Sequence, residues 1–136
     1  MSEIKSVLVT GSAGRVGQAV VLELLRRGHL VKGFDRDPSP NLEQTHVADL
    51  FDTDALAEAM ADVDCLVHLA ATPDDVEDPV NDLFPPNITG LYHVLETARA
   101  AGIQRIILAS SGQVNWHQQQ SGPWPVNDSM PVSPKA

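Results

Sequence analysis

The stretch VLVTGSAGRVG, Val7 to Gly17, contains the strongest structural signal in the chain. It begins inside SVLVT, Ser6–Thr10, which is short, apolar and β-branched, as is typical of a strand buried on both faces. From Arg15 to Arg27, apolar side chains recur at helical spacing, and a glycine follows as a stop signal. The junction between this strand and this helix holds three glycines at regular intervals: Gly11, Gly14 and Gly17.

The rest of the chain repeats the alternation of strand and helix. Further strands are predicted at His29–Asp35, Thr45–Leu50, Cys65–Ala71 and Arg105–Ser111. Further helices are predicted from Asp52 or Thr53 to Met60 and from Pro85 or Pro86 to Ala101. Such a pattern joins parallel strands by right-handed crossovers. We therefore predict an α/β fold, a Rossmann-type doubly wound parallel sheet of about five strands in the order 3-2-1-4-5, with its ligand at the carboxyl ends of strands one and four.

Length and composition fit one domain. A chain of 136 residues, 43% of them hydrophobic, can form one core and is too short for two ordinary domains. We predict that the Rossmann domain occupies residues 1–111. Residues 112–136 lack periodicity and are rich in Gln, Pro and Ser, so we predict an irregular tail there.

Charge and cysteine content exclude several classes of partner. The net charge of −9, with basic residues scattered among acids, argues against nucleic acid and against an anionic membrane surface. The most acidic segment, Asp74–Asp78, has no histidine or ligand spacing beside it, so we predict a solvated loop and no metal site. Because Cys65 is alone and no secretory signal precedes the first strand, we expect a cytoplasmic protein.

The three glycines suit a bound diphosphate. At a strand-to-helix junction they allow a tight turn, a close approach of backbone to phosphate and close packing of the helix, whose amino end favours an anion. Asp35 ends the second strand, where a carboxylate binds both ribose hydroxyls and repels the 2′-phosphate of NADP. We predict NAD, with NADP as the alternative because Arg36 can reach such a phosphate. The contacts predicted here are Gly11, Ala13, Gly14, Arg15, Val16, Gly17, Asp35 and Arg36.

Segments along nearly the whole chain resemble one family. TGSAGRVG, VADL, VHLAA, PPNITG and LASSGQV are similar to successive motifs of the extended short-chain dehydrogenase/reductases, also called NAD-dependent epimerase/dehydratases. Within that family, AGRVG resembles the uronate dehydrogenase branch.

This resemblance implies further site residues and an activity. It implies that Asp49 and Leu50 contact adenine, that Leu69, Ala70, Ala71 and Asn87 bind the cofactor, and that Ser111 is a catalytic residue on the reacting sugar oxygen. It also implies hydride transfer to or from a sugar, sugar acid or nucleotide sugar. From the residues alone, Asp49 fits the start of a turn equally, and Ser111 fits a hydroxyl that satisfies the end of a strand.

One departure from the family concerns its general acid. The family uses a Tyr-x-x-x-Lys pair, but the one tyrosine of this sequence is Tyr92 and Glu96 stands four residues on. We expect the chain to be the amino-terminal, cofactor-binding part of a longer enzyme, cut before the Tyr-Lys helix and inactive alone. Two alternatives stay open: a regulator or sensor that binds NAD(P) without turnover, and a domain that serves only as an interaction module.

The fifth predicted strand would lie at the edge of such a sheet. An edge strand exposes unpaired backbone groups, and RIILASS is also apolar. We expect this edge to be covered by the tail or paired in a homodimer.

Overall fold

The computed structural model describes residues 5–73, 76–122 and 127–130. In those residues, five strands form one sheet: β1 (Ser6–Thr10), β2 (Leu30–Asp35), β3 (Thr45–Val47), β4 (Cys65–His68) and β5 (Arg105–Leu108). The α-helices are α1 (Arg15–Arg26), α2 (Thr53–Met60), α3 (Leu91–Ala100) and α4 (Trp116–Ser121). All pairings are parallel, in the order β3-β2-β1-β4-β5. The predicted fold class and strand order are confirmed.

The central strand β1 contributes to two cores, one on each face of the sheet. Leu8 is fully buried in a cluster that includes Leu56 of α2 and Val94 of α3. Val9, on the opposite face, packs in a second cluster with Val21 of α1. This is why the strand is apolar at every position from Val7 to Val9, as a strand covered on both faces requires.

Three strands end earlier than the sequence predicts. β3 ends at Val47 and not at Leu50, β4 at His68 and not at Ala71, and β5 at Leu108 and not at Ser111. β4 ends at His68 because Thr10, its partner there, is the last residue of β1 that pairs with β4. β5 ends at Leu108 because Leu108 is the residue that pairs with His68. Beyond these ends the chain leaves the sheet, and several residues predicted to be strand instead line a cavity.

The structure corrects one predicted helix start and the first part of the predicted tail. The helix predicted from Pro85 or Pro86 begins earlier, because π-helical stretches at Pro79–Leu83 and Pro85–Gly90 lead into α3. The Asp78 carboxylate caps the first of them by accepting from Asn81 N at 3.2 Å. Within the predicted irregular tail, residues 112–121 instead form a 3₁₀ turn at Gly112–Asn115 and then α4. Residues 123–126 and 131–136 of that tail lie outside the described residues.

His68 is a packed core residue, as the apolar strand around it indicates. Its side chain is buried, with Nδ1 2.7 Å from Thr10 Oγ1, and burial lowers the pKa of the imidazole. The Thr10 hydroxyl also accepts from Leu69 N at 3.3 Å and Ala70 N at 3.4 Å. The pair therefore ties the end of β1 to the chain that leaves β4. Among the described residues, no helix is both long and apolar enough to cross a bilayer.

Asp64 anchors the beginning of β1 and gives a pH-dependent contribution to stability. Its Oδ2 accepts from Lys5 N and Ser6 N, each at 2.9 Å, and the Ser6 bond, followed by the Lys5 bond, lowers the pKa of this carboxyl. A lowered folded-state pKa means that this stabilisation is complete above the ordinary pKa near 4 and disappears as pH falls through the folded value. We expect Asp64→Asn to be less stable than wild type at pH 7, with the difference shrinking toward pH 3.

Urea unfolding of both proteins from pH 7 to pH 3 measures that difference. Glu58→Gln, which neutralises an exposed acid on α2, is the control and should show a small difference that changes little with pH. A constant gap between wild type and Asp64→Asn would mean that the carboxylate charge does not carry the anchor.

Candidate cofactor-binding site

The glycine turn between β1 and α1 is closed by backbone contacts. Gly11 has φ +72°, a left-handed conformation that glycine adopts without strain, and its N–H donates to Phe34 O at 2.9 Å. Gly14 N donates to Gly11 O at 3.1 Å. A Cβ on Gly17 would overlap the Gly11 carbonyl oxygen and lie 2.8 Å from its carbon. The first and third glycines are therefore required by the turn itself.

The amino end of α1 offers unpaired donors at this turn. Gly14 is the N-cap and supplies no side-chain acceptor, so the first helical N–H groups have no cap from it. No acidic side chain stands in the first turn of the helix to compete for them. Backbone N–H groups and the positive end of the helix dipole together favour an anion, and a diphosphate is the anion that this geometry suits.

Asp35 stands beside that turn, fixed by two backbone donors. Its Oδ2 accepts from Ala13 N at 2.9 Å, and its Oδ1 accepts from Asp37 N at 3.2 Å. The residue is half-buried at the end of β2, next to β1 in the sheet. The glycine turn thus orients the carboxylate, and a carboxylate has acceptor capacity left for the hydroxyls of a ribose.

A cavity of about 430 Å³ joins these features. The residues that it brings together are all the predicted cofactor contacts except Asn87: Gly11, Ala13, Gly14, Arg15, Val16, Gly17, Asp35, Arg36, Asp49, Leu50, Leu69, Ala70 and Ala71. Asp49 and Leu50 come from the chain after β3, and the last three from the chain after β4. The cavity lies where the strand order reverses, which is the expected ligand position in an open α/β sheet.

In the described part of the chain, two predicted site residues lie outside this lining. The Asn87 carboxamide is directed at the backbone of Thr72, accepting from its N at 2.7 Å and donating to its O at 3.0 Å. The Ser111 hydroxyl accepts from Gln113 N at 3.2 Å and caps the 3₁₀ turn. The structure therefore shows Ser111 in the local capping role that its residue type also allowed.

The sequence reasoning missed six residues of the lining. Phe34 and Ala48 each directly precede a predicted acid, and Asp37 follows Arg36, so adjacency along the chain was the available signal. The others extend the wall after β4 or belong to the helical stretch opposite: Thr72, Pro73 and Pro86. Nothing in the sequence signals that Pro86 faces a cavity, because the π-helical stretch that places it there was not foreseen.

The described residues hold no group of three or more His, Cys, Asp or Glu side chains that suits a metal ion. Of the acidic segment predicted to be a solvated loop, Asp74 and Asp75 lie outside the described residues. Asp78 is exposed, and hydrogen bonds from Asn81 lower the pKa of its carboxyl. This acid is thus engaged in capping a helical turn.

A parallel sheet in this order, with a glycine turn leading into a helix and an acid at the end of β2, defines a dinucleotide-binding Rossmann domain. A sequence profile described as the NAD dependent epimerase/dehydratase family matches residues 7–134. The chain belongs to that family.

Individual relatives agree with this assignment. The chain is 38% identical over 124 residues to a 3 beta-hydroxysteroid dehydrogenase/Delta 5-->4-isomerase of Mycobacterium tuberculosis, covering 83% of this chain and 33% of the relative. It is 33% identical over 112 residues to a uronate dehydrogenase of Pseudomonas syringae pv. tomato, covering 79% and 40%. A short-chain dehydrogenase/reductase superfamily protein from Agrobacterium tumefaciens, solved with bound NAD, superposes with a TM-score of 0.84 at 37% identity, over 96% of this chain and 40% of that one. The chain thus spans about a third to two fifths of the length of these relatives.

Proposed function

We propose that this chain is the NAD-binding portion of an oxidoreductase that acts on a sugar, sugar acid or nucleotide sugar. The observation that carries the proposal is the Asp35 carboxylate, which two backbone amides hold at the cavity beside the glycine turn. Support for the cofactor comes from the family and from relatives whose structures contain NAD. Support for the substrate class comes from the uronate dehydrogenase and from a UDP-glucose 4-epimerase of Thermus thermophilus.

The residues of the cavity would divide the binding of NAD among them. The amides at the start of α1 would neutralise the diphosphate, Asp35 would accept from the ribose hydroxyls, and Leu50 would pack against the adenine. The strand-four segment from Leu69 to Ala71 would lie along the rest of the molecule. When bound, NAD supplies the hydride acceptor at its nicotinamide ring. The role of the described residues would be to bind NAD and to orient its nicotinamide ring.

The same carboxylate is the reason to prefer NAD to NADP. A 2′-phosphate would place negative charge against Asp35, with Asp37 and Asp49 also in the lining. Arg15 and Arg36 are the basic residues of the described lining, and Arg36, which directly follows Asp35, is the feature that keeps NADP as the alternative.

Calorimetric titration of the chain with NAD, NADP and adenosine tests this proposal. We expect saturable heat with NAD, weaker binding of NADP, and weaker binding of adenosine because it lacks the diphosphate. No heat with either dinucleotide would refute the proposal and would favour a domain that serves only as an interaction module.

We further propose that the parent protein is an enzyme and that the 136-residue chain by itself is inactive. Tyr92 is exposed on α3 and lies outside the cavity lining, so it is not placed as a general acid. Without a positioned acid or base, hydride transfer would lack a factor of about 10²–10⁴. Ser111 remains our candidate for contact with the substrate oxygen.

A second candidate function is a regulator or sensor that binds NAD without turnover. The observation that supports it is that the glycine turn and the Asp35 carboxylate at the cavity suit cofactor binding by themselves, without any catalytic group. Following NADH formation at 340 nm with uronic acids and other sugars, using the full-length protein that contains this segment, separates the two. Turnover selects the enzyme, and NAD binding without turnover across the panel selects the sensor.

We also propose that the chain works in the cytoplasm, where its lone cysteine would stay reduced.

We propose in addition that the chain forms a homodimer. Four exposed apolar side chains recur at every fourth residue along the helical stretches and α3: Val80, Phe84, Ile88 and Tyr92. We call these four residues the apolar stripe. Its spacing is self-complementary, since two antiparallel copies pair Val80 with Tyr92 and Phe84 with Ile88 about a two-fold axis.

Ile88→Glu is expected to abolish dimerisation, because it places a charge at the centre of the apolar stripe. Sedimentation velocity measures the result as a shift from dimer to monomer. Leu22→Glu is the matched control, since Leu22 is similarly exposed but lies on α1, away from the stripe. A wild-type chain that sediments as a monomer at high concentration would contradict the homodimer.

A further inference from the structure

The wall of the cavity after β4 needs an anchor that the sheet does not provide. The ladder of β4 ends at His68, and the Thr10 backbone and hydroxyl engage only Leu69 and Ala70 beyond it. Thr72 and Pro73 nevertheless line the cavity. Pro73 has no N–H and keeps the preceding residue extended, so the two backbone groups of Thr72 are what remains available to hold this segment.

Asn87 supplies both partners for Thr72. Its Oδ1 accepts from Thr72 N at 2.7 Å, and its Nδ2 donates to Thr72 O at 3.0 Å. The carboxamide thus pairs with Thr72 as a neighbouring strand would. A further bond runs from Thr72 Oγ1 to Asp82 O at 3.1 Å, so the segment is attached to the helical stretch at two points.

The helical stretch that carries Asn87 also contributes directly to the cavity lining. Pro86, the preceding residue, lines the cavity. Gly90 packs so closely on Leu50 that an added Cβ would lie 3.0 Å from Leu50 Cδ1. The stretch therefore contacts two walls of the cavity: Gly90 packs on Leu50, and Asn87, three residues earlier, binds Thr72.

We propose that Asn87 is a positioning residue for the dinucleotide site: it does not act by contact with the cofactor but fixes Thr72 and Pro73 as a wall. This rests on the proposed function, because the wall matters only if the cavity binds NAD. The essential property is that one side chain both accepts and donates. Leucine has a similar size and does neither, and an ionised aspartate only accepts.

Asn87→Asp tests the proposal through pH. At pH 8 the ionised carboxylate accepts from Thr72 N but faces the half-buried Thr72 O without a proton to donate. We expect NAD affinity to fall about tenfold, the equivalent of one lost hydrogen bond. When protonated, the carboxyl donates to Thr72 O and reproduces the asparagine pattern. The ratio of variant to wild-type affinity should therefore begin to recover as pH falls to about 4, the ordinary pKa of an aspartate.

The affinity of the variant is divided by that of the wild type at the same pH, so that the titration of other acids near the segment affects both proteins alike. These acids include Asp82 on the same helical stretch and Asp49 across the cavity. Asn81→Asp is the matched control: it makes the same change in the same helical region, where the side chain contacts Asp78 and not the wall. We expect its NAD affinity to stay within about twofold of wild type at every pH.

Hydrogen exchange at the Thr72 amide gives a readout without cofactor. Protection should fall in Asn87→Leu, remain in Asn87→Asp, and stay unchanged in Asn81→Asp. Equal NAD affinity in wild type and Asn87→Asp at pH 8, or a loss that does not recover with acid, would overturn the proposal. If the wild type itself bound no NAD, the proposed function would fail, and the exchange pattern would still decide whether Asn87 holds Thr72.

Discussion

Gly17→Ala is expected to lower the free energy of unfolding by about 3 kcal/mol and to lower the thermal midpoint by about 10 °C. The added methyl group would overlap the carbonyl oxygen of Gly11 and lie 2.9 Å from Ser12 Cα. These are backbone atoms of the tight turn, so no side-chain rotation relieves the clash. Either α1 moves away from β1 or the turn opens, and both disrupt the cluster around Val21.

Gly14→Ala separates that structural effect from binding. A Cβ on Gly14 meets only the Gly11 carbonyl oxygen at 3.3 Å, and Gly14 has φ −71°, which alanine adopts easily. We expect its stability to change by less than about 1 kcal/mol, while NAD affinity falls because a methyl group stands in the cavity. Differential scanning calorimetry and NAD titration measure the two effects. Equal stability of Gly17→Ala and Gly14→Ala would contradict the packing role given to the third glycine.

Asp35→Asn is expected to weaken NAD binding about 10- to 100-fold, since hydrogen bonds to a charged acceptor contribute about 1.5–3 kcal/mol. The amide oxygen can still accept from Ala13 N, so the turn should persist and stability should change little. Removing the negative charge also removes the repulsion of a 2′-phosphate. NADP binding should therefore weaken less than NAD binding, and the preference for NAD should narrow.

The control for Asp35→Asn is Asp62→Asn, which removes the same charge at an exposed turn. Asp62 has φ 57°, a left-handed conformation that asparagine tolerates equally well. Titration of both variants with NAD and NADP, beside thermal unfolding without ligand, isolates the contribution of the site. If Asp35→Asn kept wild-type affinity for NAD and did not gain relative affinity for NADP, the ribose would have to bind elsewhere.

Much of the fold could be predicted because its signals are local. The apolar run from Val7 to Val9, the glycines after it and the helical period that follows are each set by neighbours in sequence. Such signals predicted the sheet order and the part of the cavity lining formed by the glycine turn, Asp35 and Arg36, whereas the lining residues after β3 and β4 were implied only by the family resemblance. Asp35 was predictable for the same reason, since the carboxyl ends of adjacent parallel strands lie at the same edge of the sheet.

Strand ends and the roles of single polar side chains could not be predicted in this way. β4 ends at His68 because its neighbour β1 turns away at Gly11, which is a property of the ladder and not of the residues LAA. The start of the helical stretch at Pro79 likewise depends on a capping contact by Asp78.

The chain's residues alone determined the architecture and the chemical type of its site: a parallel sheet, a glycine turn for a diphosphate and a carboxylate for a ribose. Only the tertiary structure decided that the Asn87 carboxamide points at Thr72, that Pro86 lines the cavity and that Ser111 caps a turn. The physical reason is the distance along the sequence over which each kind of interaction acts. Backbone conformation and amphipathic spacing are fixed by residues a few positions apart, whereas a hydrogen bond between residues 72 and 87 exists only once the packed elements bring them together.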